Sequence, residues 1–339
     1  MGNRKICVVI GSRANYGRLK SVCNAIQDHF GLELQLIIAA SAYDLPIDLP
    51  VAARVQCLID GDNTGAMALT AGVFLTQLSG VFERLKPDLV LAHGDRYEVL
   101  SAAITAAYMN IPLAHTEGGE FTGTIDNKVR YAITSLADFH FPVTRFAADK
   151  LKSLGIDPGR IFTVGSTALD TIKGIDLTNE RAEHYMVILH HPNTTNPEEL
   201  EPLIEAVNKI SLHKVWVNPN VDAGNKAMLK LIHQQKMEFV KNLPPEEYAR
   251  LIYNCQVLVG NTSSGIKEGA FLGVPYVCVG NRQQGREHGN NTLMVPNRTD
   301  DIFAGILWQL NHGRYPPDYR FGDGTAGAKI ANILAEVES

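Results

Sequence analysis

Three carboxylates lie where a catalytic acid or base can be built. Asp95 follows one apolar, strand-like run, Glu117 ends the next, and Asp126 starts a predicted helix nine residues further on. Carboxylates that crowd into one site repel each other, which lets one of them hold a proton near neutral pH. The pattern therefore favours proton transfer at this place. The alternative is that Asp95 and Asp126 only bind loop amides or helix starts.

Two histidines extend this cluster and allow a different chemistry. His93 lies two residues before Asp95, and His115 lies two residues before Glu117. On a strand, residues two apart point to the same face, so two imidazoles and two carboxylates could hold a metal ion. A metallohydrolase is thus one alternative, and buried histidines that bond to backbone are the other.

A second group of residues suits a phosphate. The loop Asn261–Gly265 precedes a predicted helix, where backbone amides, hydroxyls and the helix dipole attract an anion. Thr262, Ser263 and Ser264 supply the hydroxyls, and Glu268 could accept hydrogen bonds from ribose. Guanidinium groups donate in pairs to a diphosphate, and four arginines lie in suitable loops. They are Arg13, Arg96, Arg282 and Arg286.

Two further polar segments follow predicted strands. They are His190–Pro192 and Asn218–Asn220. A neutral histidine near a diphosphate can bind it or donate a proton, and shaping of the loop is the alternative role. Neither a Walker A sequence nor GxGxxG is present, so a nucleotide would not be held in those ways.

The elements that position these residues alternate between strands and helices. Continuous apolar strands joined by helices predict parallel sheets covered on both faces, with right-handed crossovers. The predicted strands are Ile6–Ile10, Leu34–Ala39, Asp88–Ala92, Ile111–His115, Met186–Leu189, Val215–Val217, Val257–Val259 and Pro275–Val279. The predicted helices are Arg18–Ile26, Thr64–Lys86, Glu98–Met109, Asp126–Leu136, Ile266–Leu272 and Thr325–Val337. We expect an α/β fold of two Rossmann-like doubly wound domains facing a cleft, with Lys173–Glu183 as the linker.

Composition narrows the classes of protein. The chain has 31 basic and 36 acidic residues, a net charge of −5, which does not favour nucleic acid as the main partner. Its five scattered cysteines indicate buried free thiols in a reducing compartment. We expect no apolar run to reach the length of a membrane span, so a cytoplasmic protein without membrane partners is predicted.

Several motifs together resemble the UDP-N-acetylglucosamine 2-epimerase family. His93–Glu98 is similar to its HGDR-type motif, and His115–Asp126 resembles the H-x-E-G-G-E…G-T-I-D pattern of the hydrolysing branch. Gly260–Glu268 resembles the nucleotide loop of that family, and Gly280–Glu287 resembles the segment G-x-R-Q-x-G-R-E. The matches run from the first strand to about residue 295.

The resemblance implies a GT-B-like fold and a reaction. Domain limits of 1–172 and 183–318 are expected, with a terminal helix at 324–339 that joins the first domain. Elimination to a glycal, then hydration, would convert UDP-N-acetylglucosamine into N-acetylmannosamine and UDP without a metal or other cofactor. Sialic acid or other nonulosonate biosynthesis is the implied context, and a homodimer or homotetramer the implied assembly.

Residue roles follow from the same resemblance. Asp95, Glu117 and Asp126 would carry the protons, and His191 of an H-P-x-T-T segment would contact the phosphate. The nucleotide would be held by Arg13, Arg96, Asn220, Thr262, Ser263, Ser264, Glu268, Arg282 and Arg286.

Two departures from the family pattern leave the substrate open. Asn15 replaces the acid of S-R-A-D-Y, and Ala40–Asp60 is shorter than the usual segment near the sugar. UDP-N-acetylglucosamine, its GDP analogue and a UDP-2,4-diacetamido-trideoxyhexose all stay possible substrates. A non-hydrolysing epimerase, a GT-B glycosyltransferase and a non-catalytic nucleotide-sugar binding protein are the alternative functions.

Overall fold

Apolar strands that alternate with helices form two sheets, each of six parallel strands. The computed structural model describes residues 2–61, 63–178, 184–193, 195, 198–219, 223–241 and 243–338. Contacts between residues divide the chain into two compact units, which are described separately. The first contains residues 1–120, 126–171 and 322–339, and the second contains residues 121–125 and 172–321. The predicted limits at 172, 183 and 318 stay predictions, because such contacts do not show independent folding.

The first unit contains a sheet in the order β3-β2-β1-β4-β5-β6. Its strands are β1 (Arg4–Ile10), β2 (Leu32–Ala39), β3 (Val51–Val55), β4 (Leu89–His93), β5 (Leu113–Thr116) and β6 (Phe139–Phe141). Its first helices are α1 (Arg13–Asp28), α2 (Thr64–Leu85), α3 (Tyr97–Tyr108), α4 (Ile125–Leu136) and α5 (Arg145–Ser153). Helix α1 begins at Arg13 rather than Arg18, because Ser12 caps it and accepts a hydrogen bond from the Asn15 amide.

Both faces of the central strand β1 are buried. Ile6, Val8 and Ile10 pack on one face with apolar residues of α1, whereas Cys7 and Val9 pack on the other with α2 and α3. A strand buried on both faces must be apolar throughout, which explains the continuous run in the sequence.

Helix α2 is long and apolar enough to cross a membrane by length and composition alone. The expectation that no apolar run is long enough to span a membrane is therefore wrong for α2. Core helices of proteins that do not span a membrane also meet these length and composition criteria. Here Phe74, Leu78 and Phe82 are buried in the core of the first unit, so one face of α2 has a packing role.

The second unit has a sheet in the order β12-β11-β10-β7-β8-β9. Its strands are β7 (Tyr185–Leu189), β8 (His213–Val217), β9 (Glu238–Val240), β10 (Val257–Gly260), β11 (Tyr276–Val279) and β12 (Thr292–Val295). Its helices are α6 (Glu201–Asn208), α7 (Asn225–His233), α8 (Pro245–Asn254), α9 (Ser263–Ile266), α10 (Glu268–Leu272) and α11 (Thr299–His312). The predicted helix Ile266–Leu272 is therefore two short helices, with Gly265 and Gly269 weakening helix continuity.

The terminal helix α12 (Ala326–Glu336) packs on α1 within the first unit. Asp170 caps it, since its carboxylate accepts hydrogen bonds from the amides of Ala326 (2.9 Å) and Gly327 (2.6 Å). Gly327 allows this close approach, because a Cβ there would lie 2.8 Å from the carbonyl carbon of Ser21.

The five cysteines are free and buried, as predicted. Burial raises the pKa of Cys23, Cys255 and Cys278 to about 12 each, and that of Cys7 still further. Thiols of this kind are poor nucleophiles at neutral pH, which fits a packing role.

Two glycine substitutions should have opposite effects on the first unit. Gly327→Ala places a methyl group against backbone, and we expect a loss of roughly 1–3 kcal/mol in the free energy of unfolding. Gly80→Ala, at an exposed position of α2 with no atom within 4 Å of the added Cβ, should gain about 0.5–1 kcal/mol from helix propensity. Urea denaturation measures both. Equal effects of the two variants would contradict the close α1–α12 contact.

Candidate active site

The carboxyl ends of β4 and β5 lie side by side in the first unit. The two strands pair in parallel, with His93 opposite Thr116 at the end of the register. Asp95 lies two residues past β4, and Glu117 lies one residue past β5. Both carboxylates therefore extend from the same edge of the sheet, and Asp126 lies in the first turn of α4.

The backbone of Glu117 is strained. Its φ of 63° lies in the left-handed region, which residues other than glycine rarely adopt because the Cβ approaches the following carbonyl. The residue is 6% exposed, and its amide donates to the Phe141 carbonyl (3.1 Å), which holds this conformation. Strained residues concentrate at functional sites, so this geometry supports Glu117 as a site residue.

Arg130 is a residue that the sequence analysis missed. It lies on α4, is 1% exposed, and its guanidinium is paired with the Asp95 carboxylate. Its Nη1 also donates to the Glu120 carbonyl (3.1 Å). Arg130 follows Asp126 by one helix turn, so both lie on the same side of α4. Arg130 thus ties the helix that carries Asp126 to Asp95, and this spacing was the available signal.

The two histidines considered as metal ligands form hydrogen bonds to other residues of the chain. His93 Nδ1 lies 2.7 Å from the Thr116 hydroxyl, while His115 contacts the Gly94 carbonyl (2.8 Å) and the Thr134 hydroxyl (3.1 Å). Burial lowers the pKa of His115 to about 3, so its ring is neutral at pH 7. Within the described parts of the chain, no three His, Cys, Asp or Glu side chains form a group suited to a metal ion. The geometry therefore favours buried histidines that bond within the protein, His115 to a backbone carbonyl and His93 to the Thr116 hydroxyl.

The two predicted arginines of the first unit differ in their surroundings. Arg13 is exposed at the start of α1, beyond the carboxyl end of β1. Arg96 forms a fork with Glu98, through Nε to Oε2 (3.1 Å) and Nη2 to Oε1 (3.2 Å). Glu98 is fully buried, so this pair fixes Arg96 beside the β4 edge.

A buried amide organises the edge of the second sheet. Asn261 follows β10 and is 0% exposed. Its Oδ1 accepts from the His191 amide (2.7 Å), and its Nδ2 donates to the His191 carbonyl (2.9 Å). Because β7 and β10 are neighbours where the strand order reverses, Asn261 ties two loops at the place where α/β sheets bind ligands. Asn261 was predicted only as part of the phosphate loop, without a role of its own.

The loop after β10 is held by hydroxyl groups. Thr262 caps α9, since its side chain accepts from the Ser264 amide (3.3 Å), and the Ser264 hydroxyl contacts the Tyr248 hydroxyl. The buried Tyr276 hydroxyl lies within hydrogen-bond distance of the carbonyls of Gly260 (3.0 Å) and Thr262 (2.9 Å). Ser263 is the first residue of α9. The predicted hydroxyl-bearing loop is therefore built as a fixed cradle.

The segment after β11 completes this edge. Arg282 Nη1 and Gln283 Nε2 both donate to the Asn261 carbonyl, at 3.1 and 2.9 Å. Arg286 donates to the Gln283 side chain (2.8 Å), and Glu268 opens α10 at 9% exposure. Since β7, β10 and β11 are neighbours, the second sheet brings together His191, Thr262, Ser263, Ser264, Glu268, Arg282 and Arg286. Asn220 lies outside the described residues.

The short Ala40–Asp60 segment is folded into the first unit. It contributes the edge strand β3 and a short 3-10 helix, Ala40–Ala42. Asp48 pairs with Lys20 (2.6 Å) and with the Tyr16 hydroxyl, both on α1. The Ser41 hydroxyl donates to the Gly11 carbonyl (3.0 Å). The segment therefore supports the loop that leads into α1.

Comparison with known proteins agrees with the motifs. A family model described as UDP-N-acetylglucosamine 2-epimerase matches residues 24–335. A UDP-N,N′-diacetylbacillosamine 2-epimerase (hydrolyzing) of Legionella pneumophila is 29% identical, with 98% of this chain and 96% of that protein covered. A UDP-N-acetylglucosamine 2-epimerase of Neisseria meningitidis is 28% identical, covering 99% of this chain and 96% of that protein.

A solved structure confirms the fold class. The chain matches the UDP-GlcNAc 2-epimerase of Methanocaldococcus jannaschii, solved in complex with UDP-GlcNAc and UDP, with a TM-score of 0.83 and 17% identity. The match covers 98% of this chain and all of that one. At this identity the likeness shows the fold, which belongs to the predicted GT-B-like class with two α/β sheets.

The buried histidines predict how stability depends on pH. His115 and His190 are neutral in the folded state because burial lowers the pKa of each to about 3. The unfolded chain binds a proton at each below about pH 6.5, so the free energy of unfolding should fall as pH drops from there toward 3. Each histidine should contribute up to about 1.4 kcal/mol per pH unit within this window.

Urea denaturation between about pH 7 and 5 measures this dependence. His115→Gln removes the titration but keeps an amide that can bond, so it should flatten the slope. His184→Gln, at an exposed position, is the matched control and should leave the slope unchanged. An unchanged slope in His115→Gln would show that this histidine is not buried in a neutral form.

Proposed function

Since the chain belongs to the UDP-N-acetylglucosamine 2-epimerase family, we propose that it is a hydrolysing nucleotide-sugar 2-epimerase. The proposed reaction converts UDP-N-acetylglucosamine and water into N-acetylmannosamine and UDP. Two relatives carry "hydrolyzing" in their names, which supports the hydrolytic outcome. A relative named for polysialic acid biosynthesis, 28% identical, supports a context in nonulosonate formation.

A diacetamido sugar is the second candidate substrate. The relatives from Legionella pneumophila and Campylobacter jejuni, each 29% identical, are named for N,N′-diacetylbacillosamine, and the second for GDP or UDP carriers. This chain also has the departures at Asn15 and Ala40–Asp60 from the usual family pattern. Both candidates require the same bond changes at C1 and C2.

One observation carries the proposal: Asp95 and Glu117 follow adjacent strands, and Arg130, one helix turn after Asp126 on α4, is paired with Asp95. Elimination and rehydration of a sugar need a base at C2, an acid that returns a proton to the opposite face, and negative charge near an oxocarbenium-like centre. Three carboxylates can share these tasks. A glycosyltransferase needs fewer carboxylates, so the cluster favours an epimerase.

The bonds change in two steps. A carboxylate removes the C2 proton while the C1–O bond to the diphosphate breaks, which leaves a C1–C2 double bond and free UDP. A carboxylic acid then protonates C2 on the other face, and water adds at C1, losing a proton to a second carboxylate. The product is the free C2 epimer. Asp95, Glu117 and Asp126 are the proposed proton carriers, with their individual steps unassigned.

The second sheet is proposed to hold the nucleotide. Negative charge grows on the diphosphate as C1–O breaks, and preorganised amide, hydroxyl and guanidinium donors stabilise such charge. Asn261 and Tyr276 support this, because they fix the loop before any ligand arrives. The proposed contacts are His191, Thr262, Ser263, Ser264, Glu268, Arg282 and Arg286, with Arg13, Arg96 and Asn220. A cytoplasmic location and a homodimeric or homotetrameric assembly belong to the same proposal.

Proton NMR in D₂O with EDTA tests the reaction directly. The protein is incubated with UDP-N-acetylglucosamine, and we expect free N-acetylmannosamine with deuterium at C2, together with UDP. A deuterated UDP-sugar without sugar release would instead identify the non-hydrolysing reaction. The UDP-linked N,N′-diacetylbacillosamine and the GDP sugar are run in parallel, and the fastest release identifies the substrate.

Glu117→Gln keeps the size of the side chain but removes its base. It should abolish deuterium incorporation, whereas UDP affinity by calorimetry should stay within about twofold, since the nucleotide is proposed to bind the other sheet. Glu83→Gln, exposed on α2, is the matched control and should turn over normally. Normal turnover in Glu117→Gln would exclude this residue from the mechanism.

Arg130→Lys tests the tie between Asp95 and α4. Lysine keeps the charge but cannot bridge Asp95 and the Glu120 carbonyl with a planar fork. Misplacement of a reacting group by about 1 Å can cost about 100-fold, so we expect kcat to fall roughly 10- to 100-fold with KM little changed. Lys128→Ala, exposed on the same helix, is the control. A purely structural role of Arg130 would lower stability and leave kcat of the folded enzyme intact.

A further inference from the structure

A pocket of the second unit lies at the amino end of β12, beside the carboxyl end of α11. We call it the aromatic pocket. Six residues that line it matter here: His288, Asn290, Thr292, Trp308, His312 and Tyr315. Its volume of about 610 Å³ falls in the range of small-molecule sites, and it opens broadly to solvent. The loop proposed to bind the nucleotide follows the opposite, carboxyl end of β10, so the aromatic pocket is a separate place on this sheet.

Three aromatic rings form a column at this pocket. The rings of Trp308 and His312 stack at 5.5 Å between centroids, and those of His312 and Tyr315 stack at 4.0 Å with an interplanar angle of 11°. Trp308 is 51% exposed, which is unusual for the largest apolar side chain. A partly exposed indole offers an apolar ring face and a solvated N–H, and such side chains commonly anchor the ring of a ligand.

The polar groups of the pocket favour a ligand that donates hydrogen bonds. Nδ1 of His288 lies 3.1 Å from the Gly289 carbonyl, and Nδ1 of His312 lies 3.1 Å from the Gly313 carbonyl. In the neutral ring, Nδ1–H is then the donor, which leaves each Nε2 as an acceptor. Asn290 adds an amide. Among the lining residues that the structure describes, none is Asp, Glu, Lys or Arg, so the pocket lacks the carboxylate, ammonium and guanidinium groups that usually bind an ionic ligand.

The wall of the pocket is fixed from behind. The Tyr315 hydroxyl donates to the Gln309 side chain (3.0 Å), and Gln309 is fully buried. Gln309 Nε2 in turn donates to the carbonyls of Asn291 (3.0 Å) and Tyr276 (2.9 Å). A site whose side chains are already ordered loses little conformational freedom when a ligand binds. The arrangement is therefore a preformed surface.

We propose that the aromatic pocket is a second binding site, which takes a neutral pyranose sugar. The C–H face of a pyranose packs on an aromatic ring, while its hydroxyls donate to imidazole and amide acceptors. A nucleotide is disfavoured because the lining supplies neither Lys nor Arg for its phosphates. The site requires no turnover, so it stands independently of the reaction proposed above.

Tryptophan fluorescence tests this site selectively. The chain has two tryptophans, of which Trp216 is fully buried and Trp308 is half exposed, so iodide quenches Trp308 alone. Free N-acetylglucosamine is the probe, because it lacks the diphosphate that the other edge would bind. We expect the sugar to at least halve the quenching constant, with saturation in the millimolar range. Wild-type saturation-transfer NMR, with protein aromatic protons irradiated, should label the ring protons of the sugar.

Variants separate this site from the proposed active site. His312→Ala and Asn290→Ala should weaken the protection several-fold, whereas Arg282→Ala should preserve it. Leu307→Ala, exposed on α11 and not among the lining residues, is the matched control. The saturation-transfer measurement on the wild-type protein decides the matter if a variant fails to fold.

Four results would overturn the proposal. The first is no protection and no saturation transfer at any sugar concentration. The second is uridine protecting Trp308 at lower concentration than the sugar, which would identify a nucleobase pocket. The third is protection lost in Arg282→Ala but kept in His312→Ala. The fourth is Trp308 shielding that rises with protein concentration together with dimer formation in sedimentation, which would assign this face to a second copy of the chain.

Discussion

Parallel strand pairing is the constraint on which the placement of every candidate residue depends. Parallel strands end at the same edge of a sheet, so the loops after β1, β4 and β5 converge in the first unit. Where the order reverses, between β1 and β4, successive crossover helices go to opposite faces and leave the edge open. The same reversal between β7 and β10 opens the edge of the second sheet. The topology therefore brings the residues of these loops close together, whatever their side chains are.

Buried polar groups then fix the loops at these edges without adding charge. A backbone carbonyl that leaves a strand end loses water and needs a donor, and an unmet carbonyl would cost about 1–3 kcal/mol. His115 supplies that donor to Gly94, and Tyr276 lies beside Gly260 and Thr262. The Asn261 side chain bonds to both the backbone amide and the backbone carbonyl of His191. Since these groups are neutral, the charge at the two edges comes from the carboxylates and arginines of the candidate site.

The sequence predicts the strands of both sheet centres well, because buried parallel strands must be continuously apolar. It misses β3, β6, β9 and β12, which are short and form the edges of the two sheets, where burial no longer demands such a run. Candidate residues in the loops after these strands were predicted from the positions where the apolar runs end. Arg130 and Asn261 were missed as site residues because their roles depend on partners 35 and 70 residues away. Pairing at that separation is a product of tertiary packing, which a local pattern does not contain.

The departure at Asn15 illustrates how a site can change charge and keep its shape. The Ser12 hydroxyl donates to Asn15 Oδ1 (3.0 Å) and accepts from the Asn15 amide (3.2 Å), so the two residues close the first turn of α1 reciprocally. An aspartate oxygen would accept the same hydrogen bond. The asparagine therefore keeps the turn that carries Arg13, but it removes a negative charge from a helix start that suits anions. With one carboxylate fewer beside Arg13, the edge after β1 becomes more favourable to a diphosphate. The departure is thus compatible with an intact site and shifts its electrostatics toward the anionic part of the proposed substrate.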